Sequence, residues 1–179
     1  KSKLDFVEFH VSYQDLNIDI SKYIDKTQEI GFVVHSPELF EGDHILDLAS
    51  NNKKYRERSI FELNRVCNVT RELNEYFPNT CDPVIVLNAG GFSKNSFFDN
   101  SKKNEMYSLV AESLTKINKS NVKISIQTMP PYPWHFGGQS FHNLFLDPVE
   151  IKDFCDEQDG IYACLDISHT VMACNYYGW

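Results

Sequence analysis

The sequence lacks long apolar runs and any concentration of positive charge. Its 179 residues contain 17 Lys and Arg against 25 Asp and Glu, which gives a formal net charge of −8 at pH 7. No Lys/Arg cluster exceeds a few residues, so the basic surface typical of proteins that bind nucleic acids or anionic membranes is missing. No apolar segment is long enough to cross a bilayer, and no signal segment stands at the start. We therefore expect a cytoplasmic protein without a membrane partner, and nucleic acid is disfavoured as a ligand.

Closely spaced cysteine pairs are lacking, which is unlike a disulfide framework or a zinc ribbon. The cysteines are odd in number and widely separated: Cys67, Cys81, Cys155, Cys164 and Cys174. This pattern favours reduced thiols that serve as small hydrophobic residues. Low-complexity tracts and interdomain linkers are also absent, so we predict one domain over residues 1–179.

The sequence does contain a regular alternation of strand-like and helix-like segments. Predicted strands cover 6–13, 32–39, 83–93, 122–131 and 161–165, and predicted helices cover 21–31, 55–77, 104–117 and 147–158. The last of these helices begins with Asp147 as its cap and Glu150 three positions later, as in a capping box. Almost continuously apolar strands joined by helices predict parallel strands with covered faces, which is an α/β fold.

Every predicted strand ends on a polar side chain. These residues are His10, His35, Asn88, Gln127, and Asp166 followed by His169. Asn88, Gln127 and Asp166 recur at intervals of 39 residues, which suits repeated strand–helix units. Because parallel strands end on one face, we expect these side chains to converge in a site. Imidazole and carboxylate groups are also ligands that a divalent transition metal accepts.

Local structural roles are an alternative for each of these residues. Asp166 could cap a helix that begins near Ser168, and Asn88 could shape the turn before Gly90. His35 could be a core histidine that hydrogen-bonds to the backbone. The sequence leaves these alternatives open.

These segments resemble the xylose isomerase-like TIM barrels, a family that includes sugar isomerases and epimerases and the endonuclease IV group. "VVHSPEL" resembles the end of the family's third strand, "VIVLNAGG" the fourth, "ISIQTMPP" the fifth-strand motif Ile-Glu-Asn-Met, and "CLDISHT" the sixth-strand motif Leu-Asp-Thr-x-His. The resemblance runs from strand two to strand six and implies a (β/α)8 TIM barrel. Since such barrels typically have ~250 residues, we expect this sequence to be an incomplete barrel.

The resemblance also implies roles for individual residues. It makes Asp166 and Gln127 ligands of a divalent metal, which could be Mn, Mg, Zn or Co, and it gives Gln127 and His169 catalytic positions. Gln127 stands where the family has Glu, and an amide can offer oxygen to a metal but cannot act as a base near neutral pH. The remaining polar candidates are assigned to substrate binding: His10, His35, Asn88, Trp134, His135 and His142.

Several of these candidates lie in a loop rich in proline and aromatic residues, 130–143. We predict that this loop covers the strand-end cavity as a lid, because it directly follows a strand and carries glycines beside aromatic rings. The alternative is a packed loop stabilised by its prolines.

The leading functional hypothesis is a metal-dependent isomerase or epimerase that acts on a small sugar or sugar phosphate by moving a proton next to a carbonyl. Gln127 leaves open whether the chain is an active enzyme. A non-catalytic carbohydrate-binding barrel and an endonuclease IV-like, metal-dependent phosphodiesterase are the alternatives. The net charge and the residues Asn88 and Gln127 argue against the phosphodiesterase. A homo-oligomer is compatible with the sequence.

Overall fold

The structure is a computed structural model that describes residues 4–132 and 140–179, and these residues contain nine strands and four α-helices. The strands are β1 Phe6–His10, β2 Gly31–His35, β3 Leu39–Phe40, β4 His44–Ile45, β5 Val84–Leu87, β6 Phe92–Ser93, β7 Lys123–Gln127, β8 Phe141–His142 and β9 Ile161–Cys164. The helices are α1 Lys53–Asn74, α2 Asn100–Leu114, α3 Pro148–Glu157 and α4 Ile167–Tyr177.

The central sheet has five parallel strands in the order β1-β2-β5-β7-β9. Alternate strand residues, such as Val34, Ile85 and Ile124, are buried in one apolar core together with Leu63 and Val110 of the helices. Burial on this scale stabilises the fold because each fully buried aliphatic side chain contributes roughly 1.5–3 kcal/mol. The predicted parallel α/β architecture is confirmed.

Two short antiparallel pairs are added beyond the carboxyl ends of the central strands. β3 pairs with β4, and β6 pairs with β8. They occupy the connections that follow β2, β5 and β7, so they lie at the end of the sheet where the polar strand-end residues were predicted. The sequence did not indicate a strand pair between β2 and α1, because two-residue strands are too short to show alternation.

One predicted helix is wrong and one predicted cap is only half right. In place of a helix over 21–31 there is a single 3-10 turn, Ile20–Lys22, because Asp19 accepts hydrogen bonds from the Ser21 amide and hydroxyl and closes a local turn. Asp147 caps α3 as predicted, by accepting from the Val149 amide. Its expected partner in the capping box, Glu150, instead binds Lys103 and the Tyr107 hydroxyl on α2.

The sheet is open along both outer strands. Among the described residues β1 and β9 each pair with one neighbour only, although a closed barrel pairs every strand twice. Large apolar side chains are exposed along these margins, including Phe6 on β1, Tyr162 on β9 and Ile167 on α4, which is 72% exposed. This arrangement is that of an incomplete α/β barrel. Within the described ranges no helix is both long and apolar enough to span a bilayer.

Candidate functional site

A cavity of about 370 Å³ lies at the carboxyl ends of the central strands. Its walls come from the ends of β1, β2, β7 and β9 and the segments that follow them: His10, Val11, His35, Ser36, Pro37, Glu38, Gln127, Asp166 and His169. The strands are parallel, so side chains separated by up to 159 positions meet at one face. Five of the polar residues that the sequence predicted for a site are therefore brought together.

Asp166 occupies the junction between β9 and α4 and uses its two carboxylate oxygens differently. Oδ1 accepts hydrogen bonds from the His169 amide (3.0 Å) and the Ser168 hydroxyl (2.7 Å), which caps α4. Oδ2 lies 3.5 Å from His169 Nδ1. The helix cap anticipated as an alternative is therefore present, and the second oxygen is directed toward the imidazole. One residue thus both fixes the helix start and holds a charge beside His169.

The local environment keeps Asp166 ionised. Partial burial raises the pKa of the carboxyl, but hydrogen bonds from the His169 amide and the Ser168 hydroxyl, together with the nearby His169 ring, outweigh it. The net effect is a pKa below the usual value for Asp. Asp166 is consequently an anion throughout the neutral pH range.

The His169 ring is oriented by the end of β7. Its Nδ1 lies 2.8 Å from the Thr128 carbonyl oxygen and donates its proton there. In a neutral ring this bond selects the tautomer whose basic lone pair is on Nε2. Thr128 also fixes the neighbouring backbone, because its hydroxyl accepts from the Asp166 amide at 2.9 Å. The acid and the imidazole are therefore held by one residue at the end of the adjacent strand.

Two further imidazoles and Gln127 form the other side of the cavity. His35 Nε2 lies 3.3 Å from Gln127 Oε1, and His35 Nδ1 lies 3.1 Å from the Ser36 carbonyl oxygen. The His10 ring stacks on His35 with centroids 4.7 Å apart. If the Gln127 amide oxygen faces His35, both ring nitrogens donate and the ring is an imidazolium. If the amide is turned so that its NH₂ group faces His35, Nε2 accepts and the ring is neutral.

Glu8 is a site neighbour that the strand-end argument missed. Its carboxylate lies 2.9 Å from His10 Nε2. The signal was present in the sequence, because residues two apart on a strand share a face and Glu8 precedes His10 by two. Glu8 thus places a carboxylate beside His10, in addition to Asp166 and Glu38 of the cavity wall.

Family comparison agrees with this geometry. The model of the xylose isomerase-like TIM barrels matches residues 1–177. The chain belongs to this family. A solved structure described as a D-tagatose 3-epimerase-like protein is similar in fold, with a TM-score of 0.64 and 21% sequence identity over 94% of this chain. The chain spans 58% of the length of that structure. No functionally curated protein matches it.

Two predicted site residues of this xylose isomerase-like chain lie away from the strand-end cavity. Asn88 is only 2% exposed, and its Oδ1 accepts from the Gly90 amide, which is the turn-shaping role named as its alternative. His142 is fully buried on β8, where Nδ1 donates to the Pro130 carbonyl and the ring packs against Phe92. The predicted contacts of Trp134 and His135, and the central part of the predicted lid, fall outside the described residues.

The donor groups of this xylose isomerase-like site do not form a complete metal centre. In the ranges 4–132 and 140–179 no three His, Cys, Asp or Glu side chains are arranged to hold an ion. Asp166 has one oxygen committed to the helix cap, and the Gln127 oxygen faces His35. An amide and a half-committed carboxylate are a poor set for a divalent cation, which favours several anionic oxygens or imidazoles.

Proposed function

We propose that this protein is an isomerase or epimerase of a small sugar or sugar phosphate. The observation that carries this proposal is the convergence of a carboxylate–imidazole pair, two further imidazoles and an amide around one cavity. A cavity of about 370 Å³ is in the range that small-molecule ligands occupy. Family membership supports a sugar substrate, and the structural neighbour's description names an epimerase.

In the proposed reaction His169 moves the proton. Nε2 accepts the proton from the carbon next to the carbonyl, and Asp166 stabilises the imidazolium that results. The negative charge that develops on the carbonyl oxygen is stabilised by an N–H group of the Gln127 amide, which His35 holds in place through its Nε2 contact. Return of this proton from His169 to the neighbouring carbon gives an isomer. An epimer requires a second acid that delivers a proton to the opposite face of the original carbon, and Glu38 in the cavity wall is the candidate for it.

Deuterium incorporation tests this proposal whichever sugar is the product. Incubation of aldoses, ketoses and their phosphates in D₂O is expected to place deuterium on the carbon next to the carbonyl, because proton abstraction exposes that position to solvent exchange. Mass spectrometry measures the uptake. Asp153→Asn, an exposed change on α3, is the matched control and should exchange at the unaltered rate. Absence of enzyme-dependent uptake across the panel would refute proton transfer.

We also expect only weak binding of divalent metal to this chain. The family resemblance implies a metal at Asp166, yet Gln127 lacks the charge of a carboxylate and leaves fewer anionic ligands. Calorimetric titration with Mn²⁺ or Zn²⁺ should show weak binding, stronger binding after Gln127→Glu, and none after Asp166→Ala. Tight stoichiometric binding that survives Asp166→Ala would contradict the assignment of Asp166 as a ligand.

A non-catalytic carbohydrate-binding barrel is the second candidate. Gln127 favours it, because the amide stands where the family has a carboxylate able to accept a proton. The two candidates are separated by one comparison: a binder shifts the His169 ring resonances when sugar is added but produces no deuterium exchange. The phosphodiesterase alternative receives no support from the net charge of −8.

A further inference from the structure

A second and larger cavity lies beside the first connection beyond the sheet. It has a volume of about 580 Å³ and is bounded by the β3–β4 pair, the start of α1, the β6 strand and the residue before β8. The lining residues that determine its chemistry are Asp47, Ser50, Tyr55, Phe92, Lys94 and Ser140. None of them lines the strand-end cavity. The two cavities are therefore separate places on the molecule.

Asp47 is the buried acid of this second cavity. The residue is 9% exposed, and its Oδ1 accepts hydrogen bonds from the amides of Ala49 (3.0 Å) and Gly91 (2.9 Å). No described residue hydrogen-bonds to Oδ2. An adjoining cavity of about 230 Å³ also has Asp47 in its wall. The second carboxylate oxygen is thus available to a molecule that enters this space.

The backbone around Asp47 is shaped so that the acid fits. Gly90 has a φ of +93°, and a Cβ at that position would lie 2.3 Å from Asp47 Oδ1. Gly91 has a φ of +91°, a conformation in which its amide reaches the same oxygen. These two glycines allow the loop after β5 to approach Asp47 closely and bind Oδ1 while Oδ2 is left to the cavity.

An acid is not required for this local architecture. The hydrogen bonds from the Ala49 and Gly91 amides both go to Asp47 Oδ1. An Asn side chain offers the same oxygen acceptor without a buried charge. Burial raises the pKa of Asp47 to about 6, so the ionised form is disfavoured inside the fold. A costly buried carboxylate with an open oxygen is a feature expected of a binding site rather than of a structural turn.

The remaining walls indicate which ligand chemistry fits. Ser50 and Ser140 present hydroxyl groups, and Tyr55 and Phe92 present aromatic surface. An open carboxylate oxygen accepts hydrogen bonds from hydroxyl groups, and aromatic rings pack against C–H faces. Asp47 repels anions, while Lys94 disfavours cations. This combination suits a neutral compound that carries several hydroxyl groups.

We infer that the cavity around Asp47 is a second binding site for a neutral polyhydroxy compound, a sugar or polyol, with Asp47 Oδ2 accepting hydrogen bonds from its hydroxyl groups. Tyr55 and Phe92 bound the apolar side of the ligand, and Ser50 adds a polar contact. The inference does not depend on the reaction proposed for the strand-end cavity, because none of the residues involved is shared.

Amide resonances of Ala49 and Gly91 provide the test, since both amides bind Asp47 directly. Titration of the whole chain with D-glucose and with D-mannitol at pH 7.5 is expected to shift both resonances in a saturable manner. An equal concentration of tert-butanol should leave them in place. Equal shifts with tert-butanol would show a merely apolar cavity and would overturn the proposal, as would the absence of any shift with either polyol.

Three variants locate the ligand. Asp47→Asn should weaken binding by about five-fold or more, because a hydrogen bond to a charged acceptor is stronger than one to an amide by roughly 1 kcal/mol. Ser50→Ala, whose side chain makes no hydrogen bond to the described residues, should weaken binding about two-fold without altering the fold. Asp166→Ala should have no effect. Loss of the amide shifts in Asp166→Ala, or unchanged polyol affinity in Asp47→Asn, would refute the binding site around Asp47. Failure of the deuterium exchange would refute only the reaction proposed for the strand-end cavity.

Discussion

Replacement of His169 by Asn is expected to lower deuterium exchange on the active sugar by about 10²–10⁴-fold, the range that a positioned acid–base group contributes. The expected loss follows from chemistry rather than from folding. The Asn amide can still donate to the Thr128 carbonyl, and the backbone amide at this position can still donate to Asp166 Oδ1. The cap of α4 and the contact between β7 and β9 therefore survive, while the basic nitrogen is removed.

His10→Asn is the matched control, because it changes an imidazole at the rim of the same cavity. His10 binds Glu8 and stacks on His35 but makes no described bond to the backbone through its ring. We expect this variant to alter KM more than kcat, since it removes a binding surface and leaves the proton-moving group in place. Equal losses of kcat in both variants, or full activity in His169→Asn, would show that His169 does not move the proton.

The strand-end residues could be predicted because two strong signals agree. Apolar runs such as Val84–Leu87 identify buried parallel strands, and a polar residue directly after such a run has to lie at its carboxyl end. Parallel pairing then brings His35, Gln127 and Asp166 to one face, whatever contacts their side chains make. Neither signal gives the direction of a side chain within a turn. For this reason the sequence placed Asn88 in the same site, although its side chain instead accepts a hydrogen bond from the Gly90 amide.

The features that escaped prediction depend on contacts between distant segments. Glu150 satisfied a local capping pattern, but Lys103 and the Tyr107 hydroxyl offered it a charge and a donor from another helix. Asp47 lies between two leucines in "ILDLAS", where alternation marks it only as polar. Its partners are Gly91, 44 positions away, and Ser59 of α1, whose hydroxyl accepts from the Asp47 amide. Local sequence rules carry no information about such partners.

Asp47→Asn is expected to stabilise the folded protein by about 2–3 kcal/mol at pH 8 and by almost nothing at pH 4, since one pKa unit corresponds to about 1.4 kcal/mol. Burial raises the pKa of this carboxyl from 3.8 to about 6. The folded state therefore holds the proton more tightly than the unfolded state. The stabilising contribution of the protonated acid is fully present below pH 3.8 and is lost as the pH rises through 6. Asn removes this dependence.

Urea unfolding at pH 4, 6 and 8 measures the effect, with Asp153→Asn as the control. Asp153 is an exposed carboxyl on α3 paired loosely with Lys152 at 3.8 Å, so its replacement should change the free energy of unfolding by less than about 0.5 kcal/mol at each pH. Asn at position 47 retains the acceptor for the Ala49 and Gly91 amides, which keeps the loop geometry intact. Destabilisation of Asp47→Asn at pH 8 would show that the ionised carboxylate is held by favourable partners and is not a cost to the fold.

The same variant connects stability with ligand binding at the second cavity. If the carboxylate is retained for recognition, Asp47→Asn gains stability at pH 8 and loses sugar affinity, which is the trade-off expected of a residue kept for function. Added D-mannitol should then raise the midpoint of urea unfolding in the parent protein, because a ligand that binds only the folded state stabilises it in proportion to its occupancy. In Asp47→Asn the same concentration should produce a smaller shift. An equal shift in both proteins would place the bound polyol elsewhere.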